Sequence, residues 1–276
     1  MSLCLKRSLV DNPNEGTIGY AQLHVAGLDH TTYEAVSQAQ YVTRYEQKMQ
    51  LTASPFGSFW LGWTSSTIIL RSGNPCSLDH YQVVLTSFNH LKKDSLLTVA
   101  FKDEWTLMAG HRSGFVNFLD HREGSEAQVR RMRHDDPLNA LRILKDGHTV
   151  LASGLASTAL YDLRYLSAPR TSKKSEPCST PVLKFSTSRT SDRLELGVDY
   201  NQELNTVAIA SSRNKSHYVN LYSARTGKII PSALDHSVFD GPVPCLKFAY
   251  TSDGKCSLLM APETAEPKLI EWACGI

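Results

Sequence analysis

The chain has 276 residues, 41% of them hydrophobic and 20% charged, with 29 basic against 27 acidic side chains and a formal net charge of +2. That length supports one core or two small ones, and no stretch approaches the roughly 20 consecutive apolar residues of a membrane helix, so no membrane partner is expected. The charge balance lacks the strongly basic face of most nucleic-acid binders, and nucleic acid is not an expected partner either.

The opening residues, Met1-Ser2-Leu3-Cys4-Leu5-Lys6-Arg7, carry no apolar block of the secretory kind. Residues 1–55 are the least readable part. Their one helix candidate is Thr32 to Gln50, polar and free of Gly and Pro, although Tyr41-Val42-Thr43 inside it equally suits the start of a strand. Ser58 to Trp63, Thr67 to Leu70 and Tyr81 to Thr86 read as later strands of a degenerate sheet. A clear order then begins. Leu97 to Phe101, Trp105 to Gly110 and Phe115 to Arg122 are short runs of strand-forming residues, and Asn139 to Leu144, Thr149 to Ser153 and Ala159 to Arg164 repeat them. The two Asp-x-Arg endings, at Asp120 and Asp162, are 42 residues apart, within the period of a four-stranded repeat unit.

A third unit runs through Leu196 to Tyr200, Asn205 to Ala210 and Tyr218 to Arg225, and a fourth through Val243 to Phe248, Cys256 to Ala261 and Leu269 to Trp272. Arg112-Ser113-Gly114, Lys145-Asp146-Gly147, Thr226-Gly227-Lys228 and Ser252-Asp253-Gly254 supply turn chemistry between strands. The polar, Ser/Pro-rich stretch within 165–180 cannot bury enough apolar surface to order itself and is expected to be a flexible loop insertion. Trp60, Trp63, Trp105 and Trp272 fall in predicted strands and are expected to pack between sheets. The basic run Arg130-Arg131-Met132-Arg133-His134 reads as a solvated outer face, with an acidic partner or RNA as the alternative.

These repeats resemble the WD-repeat β-propeller. His134-Asp135-Asp136-Pro137 looks like the loop that brings a histidine into each blade, while Ser153 and Tyr161 match the serine and the aromatic of the family's hydrogen-bond network, with Asp162 as the dipeptide aspartate. In that network His134 donates to the Ser153 hydroxyl, which reaches the aromatic. The sequence departs from the pattern in two places. Tyr161 replaces tryptophan, and Gly154-Leu155-Ala156-Ser157 lacks the turn aspartate, which leaves this blade to be held more by packing than by its polar relay. The resemblance implies an all-β fold: one WD-repeat propeller domain over 1–276, of six or seven blades, with a degenerate N-terminal region.

The tandem endings Asp120-His121-Arg122 and Asp162-Leu163-Arg164 are similar to the W-D-x-R box of substrate receptors of cullin-RING ubiquitin ligases, of the cullin-associated factor four type, over about residues 97–261. The resemblance implies that Arg122 and Arg164 contact the ligase adaptor, oriented by Asp120 and Asp162, and that the partners are this adaptor and a protein substrate. A plain strand-end ion pair is the alternative for both arginines. Arg225 occupies the matching place in the next unit, but Ser223 stands where the aspartate belongs.

No Gly-x-Ser-x-Gly, phosphate loop or His-Glu-x-x-His is present, so neither catalysis nor a cofactor is expected. The six cysteines are far apart with no Cys-x-x-Cys, which suits a reducing nucleus or cytoplasm. His134 reads as a blade-bracing residue and no metal is expected, on the view that no second histidine, cysteine or carboxylate stands at ligand spacing beside it. A generic scaffold in a nuclear or ribosome-assembly complex is the first alternative function. A propeller hydrolase is the second, to be recognised by Ser, His and Asp side chains converging within hydrogen-bond reach.

Overall fold

The computed structural model describes residues 2–12, 16–26, 35–43, 50–53, 59–63, 67–72, 83–87, 94–120, 128–166, 179–186, 196–213, 215–250, 254–264 and 269–274, with side chains from residue 94 onward except at 128–131. Over these residues the fold is all-β, interrupted by one 3-10 turn at Ala233–His236. No helix among them is long and apolar enough to cross a membrane. The chain divides into two compact units, Met1–Lys92 and Lys93–Ile276.

In the first unit, β1 (Ser2–Asn12), β2 (Gly16–Ala26) and β3 (Ala35–Thr43) form an antiparallel meander. A second meander joins β4 (Gln50–Ala53), β5 (Phe59–Trp63), β6 (Thr67–Ser72) and β7 (Val83–Ser87), where the three strands read from the sequence between 58 and 86 fall. The helix candidate at 32–50 is corrected: it holds β3, whose Tyr41, Val42 and Thr43 pair with Ala21, Tyr20 and Gly19. Aromatic and β-branched residues with a partner strand available outweigh a polar composition that only permits a helix.

The second unit contains four sheets in chain order. They are β8 (Leu96–Phe101), β9 (Thr106–His111), β10 (Phe115–Asp120) and β11 (Gln128–Arg133); β12 (Leu138–Ile143), β13 (Thr149–Gly154), β14 (Thr158–Asp162) and β15 (Leu183–Lys184); β16 (Val198–Asn201), β17 (Thr206–Arg213), β18 (Ser216–Ser223) and β19 (Ile229–Ile230); and β20 (Cys245–Tyr250), β21 (Cys256–Ala261) and β22 (Ile270–Ala273). Each is antiparallel with strands in sequence order, and the first strands lie side by side, β8 against β12, β12 against β16 and β16 against β20. Residues 167–178, most of the predicted loop insertion, lie outside the described residues.

Strand alternation explains why the sheets stack. In β13 and β14, Val150, Ala152, Ala159 and Tyr161 face a core shared with Met108, Val116 and Phe118 of the preceding sheet. Their neighbours Leu151 and Leu160 face a second core shared with Val198, Val207, Ile209 and Tyr222 of the next. Ala208, Ala210, Val219 and Leu221 then turn to a third core with Leu246, Phe248, Leu258 and Met260. Successive side chains point to opposite faces, so each middle sheet is apolar on both sides and must be covered twice.

The turns behave as their residues demand: Gly114, Gly147, Gly227 and Gly254 all have positive φ, between +67° and +84°. At Gly114 a Cβ would also run into the His134 carbonyl oxygen, so both backbone conformation and space require glycine there. One packing expectation is corrected. Trp105 sits in the turn before β9 and is 39% exposed, because Asp103 pins that turn through the N–H groups of Trp105 and Thr106. Trp272 does pack against the last core.

Leu151 is 1% exposed between two sheets. Leu151→Ala is therefore expected to cost about 2–5 kcal/mol in urea denaturation of the whole chain. A loss under half a kilocalorie would show that this face is not closed.

Candidate functional site

Asp120 and Asp162 occupy equivalent places. Each ends the third strand of its sheet and pairs with the first residue of the second strand, Asp120 with Thr106 and Asp162 with Thr149. Ser223 holds the same place in the next sheet, opposite Thr206. The turn entering each second strand is tied by an Asx side chain. Asp103 accepts from Thr106 N–H at 2.7 Å, Asp146 from Thr149 N–H at 2.8 Å, and Asn201 from Leu204 N–H at 2.9 Å. The sequence reading missed this recurrent Asx, although Asp103-x-x-Thr106 and Asp146-x-x-Thr149 stand 43 residues apart.

Asp162 holds Arg164 in a fork. Arg164 Nε donates to Oδ1 at 3.0 Å, Nη2 donates to Oδ2 at 2.6 Å, and the Arg164 backbone N–H donates to Oδ1 at 2.9 Å. The guanidinium and this N–H hold the Asp162 carboxyl down at about 2. The aspartate is almost covered, whereas the arginine side chain is 58% exposed and lies over the exposed Tyr165 ring, with Cζ 5.6 Å from its centroid. Beyond the fork, its remaining guanidinium hydrogens meet no partner among the described residues.

A cavity of about 450 Å3 opens beside this pair. Thr106, Phe118 and Asp120 line it from the first sheet, and His148, Leu163 and Arg164 from the second. The structure thus brings Asp120, Asp162 and Arg164 to one neighbourhood. Arg122 lies outside the described residues.

A second cluster sits in the loop between β11 and β12. His134, fully buried, places Nδ1 2.8 Å from the Tyr161 hydroxyl and Nε2 2.9 Å from Ser157 Oγ. Ser157 Oγ in turn donates to Asp135 or Asp136, each 2.5 Å away. Burial lowers the imidazole's proton affinity, opposed by Asp136 and Asp135. For a neutral imidazole, Tyr161 O–H to Nδ1, Nε2–H to Ser157 and Ser157 O–H to one of the two carboxylates is the assignment that pairs both ring nitrogens and the serine hydroxyl. Ser153, also buried, bonds Thr158 Oγ1 at 2.9 Å.

Two expectations are corrected here. The turn at 154–157 does not lack its carboxylate. Asp136 reaches across from the loop and accepts from the N–H groups of Leu155 at 2.5 Å, Ser157 at 2.9 Å and Ala156 at 3.3 Å. Gly154 makes room for it, since any Cβ there would collide with the Asp136 carboxylate. Nor is His134 without neighbouring carboxylates: ligand atoms of His134, Asp135 and Asp136 lie within 4.8 Å of one another. These atoms already bond Ser157, Lys184 and backbone N–H groups, which a cation would have to displace.

Ser, His and Asp side chains therefore converge, but in an order unlike a hydrolytic triad. The carboxylates sit on the serine, Tyr161 orients the histidine, and in the tautomer assigned above Nε2 donates to Ser157 where a general base would accept. Comparison with protein-family models finds no match, and comparison with curated protein sequences finds none either.

Asp136 and Asp135 separate under mutation. Asp136→Ala strands three N–H groups and is expected to cost about 1–3 kcal/mol, whereas Asp135→Ala loses an exposed contact and is expected to stay within about 0.5 kcal/mol; equal losses in denaturant titrations would refute the turn-staple role. Asp162 gives a pH signature. Its folded pKa is depressed below the unfolded value, so its contribution to stability is present above about pH 4 and is lost as pH falls toward 2. The melting temperature of Asp162→Asn should lack that part of the wild-type decline, and parallel curves would count against the fork.

Proposed function

We propose that this chain is a protein-recognition module of the WD-repeat propeller type, with six or seven blades, acting as a substrate receptor of a cullin-4-type RING E3 ubiquitin ligase. The supporting observation is the cavity shared by Asp120 and Arg164, strand-end residues of consecutive sheets, beside an arginine held in a fork yet more than half exposed. In this reading Arg164, with Arg122 from the preceding box, offers the adaptor a preoriented cation whose spare donors suit carboxylates or backbone carbonyls. Asp120 and Asp162 fix the geometry. His134, Ser153 and Tyr161 belong to the structural network behind it.

The receptor catalyses nothing itself. It raises the local concentration of substrate lysines near the ligase's ubiquitin carrier, and it works in the nucleus or cytoplasm without cofactor or metal. The converging Ser157 and His134 favour a structural part over a hydrolytic one, because Asp136 already consumes the N–H groups of residues 155–157 that would stabilise an oxyanion. A generic scaffold with purely structural boxes remains the competing reading.

A quantitative pull-down of the purified adaptor by wild type and by Arg122→Ala/Arg164→Ala, matched for melting temperature, separates them. The receptor reading expects micromolar or tighter binding that falls at least tenfold, about 1.4 kcal/mol. Absence of wild-type binding at micromolar concentration would leave the boxes as strand-end structure.

A further inference from the structure

Two cysteines face each other across neighbouring strands of the last sheet. The register of β21 and β22 pairs Leu258 with Trp272 and Ser257 with Ala273. One step further it opposes Cys256 to Cys274, whose N–H donates to the Cys256 carbonyl at 2.9 Å. Opposed residues of an antiparallel pair stand about 4.5–5.5 Å apart at Cα, inside the roughly 4.4–6.8 Å that a disulfide spans. Both side chains turn to the core that this sheet shares with Ala208, Ala210, Val219 and Leu221 of the preceding one, so the pair is complete within the second unit. Cys256 is buried, Cys274 is half-buried, and both are free thiols.

The two sulfurs are not equivalent. Cys256 Sγ accepts from the buried Asn201 Nδ2 at 3.0 Å, and the Cys274 thiol bonds to Cys256 as well. Burial and the adjoining Cys256 push the Cys274 thiol up to about 12. Cys274 therefore keeps its proton while Cys256 receives hydrogen bonds, which is the division of labour between a resolving and an attacking sulfur.

We propose that Cys256 and Cys274 form a reversible dithiol–disulfide switch, closed by hydrogen peroxide and reopened by thiol reductants. The Cys256 sulfur attacks one peroxide oxygen and the O–O bond breaks. The departing hydroxide takes the proton released by the Cys256 thiol and leaves as water, and Cys256 becomes a sulfenic acid. The Cys274 sulfur then displaces that hydroxyl, which leaves with the Cys274 thiol proton as a second water while the S–S bond forms. The two thiols lose two electrons and the peroxide gains them. The bond ties the end of β22 covalently to the start of β21. Neither cysteine lines the cavity beside Arg164, so the switch does not depend on the receptor reading.

The test is mass spectrometry and thermal melting of the whole folded chain after treatment with hydrogen peroxide, from equimolar to millimolar. Among the six cysteines one main link is expected, Cys256 to Cys274. The melting temperature should rise by about 5 °C, and dithiothreitol should undo both changes. Cys274→Ser should abolish the link and leave a sulfenic acid on Cys256 that dimedone captures, whereas Cys245→Ser and Arg164→Ala should alter neither the link nor its reversal. A main link between any other two cysteines, no link up to millimolar peroxide, or a link that forms without raising the melting temperature would each overturn the proposal. Failure of dimedone to label Cys256 in folded Cys274→Ser would overturn it too, by removing the attacking sulfur.

Discussion

Everything in the second unit depends on one constraint: a small sheet whose strands are apolar on both faces has to be covered on both faces. β14 shows it most simply, with all five residues buried, Ala159 and Tyr161 on one side and Leu160 on the other. Five-residue strands cannot achieve this alone, and a sheet on one side satisfies only half of them. Stacking consecutive sheets is the solution that keeps connections short. Its by-product is that strand ends and interstrand loops collect at the margins of the stack, where polar chemistry is free of packing demands. Asp120, Asp162 and Arg164 lie there because the alternation places the core elsewhere.

Apolar stacking is tolerant of sliding, and the buried polar groups remove that freedom. Asp199 on β16 is 2% exposed. Its carboxylate accepts from Phe248 N–H at 2.8 Å and lies 3.3 Å from Lys247 on β20 and 3.6 Å from Arg142 on β12. A carboxylate taken out of water without such partners would be strongly destabilising, so one residue links the first strands of three consecutive sheets. Asp136 does the same for a loop and a turn. In both cases the acid fixes the relative position of the segments it bonds. Asp120 and Arg164, from separate sheets, line one cavity only if those sheets keep register.

The strand order was legible wherever short runs of strand-forming residues lie between turn signals, as in β9 and β10, β13 and β14, and β17 and β18, and the four turn glycines marked their boundaries. What was not legible depended on contacts distant in sequence or on side chains doing an unexpected job. The missing turn aspartate was judged from residues 154–157 alone, whereas the carboxylate comes from Asp136, about 20 residues earlier, and the pointer to it was Gly154. The helix candidate failed because a polar stretch permits several structures until a partner strand selects one. Trp105 was read as strand by composition, but Asp103 claims that segment for a turn. Of the site, the equivalence of Asp120 and Asp162 could be read from their spacing. The fork on Arg164 and the shared cavity could not, since both depend on side-chain direction at the strand end.

Arg164 also shows how an exposed ion pair can order a long side chain. An ion pair this exposed is screened by solvent and adds little to folding, and immobilising a long side chain has an entropic cost that the fold gains nothing by meeting. Had stability alone been at stake, a free arginine would have served as well. In the proposed receptor, the fork with Asp162 and the contact with Tyr165 take that ordering cost before the adaptor arrives, which is the general route by which preorganised side chains raise affinity.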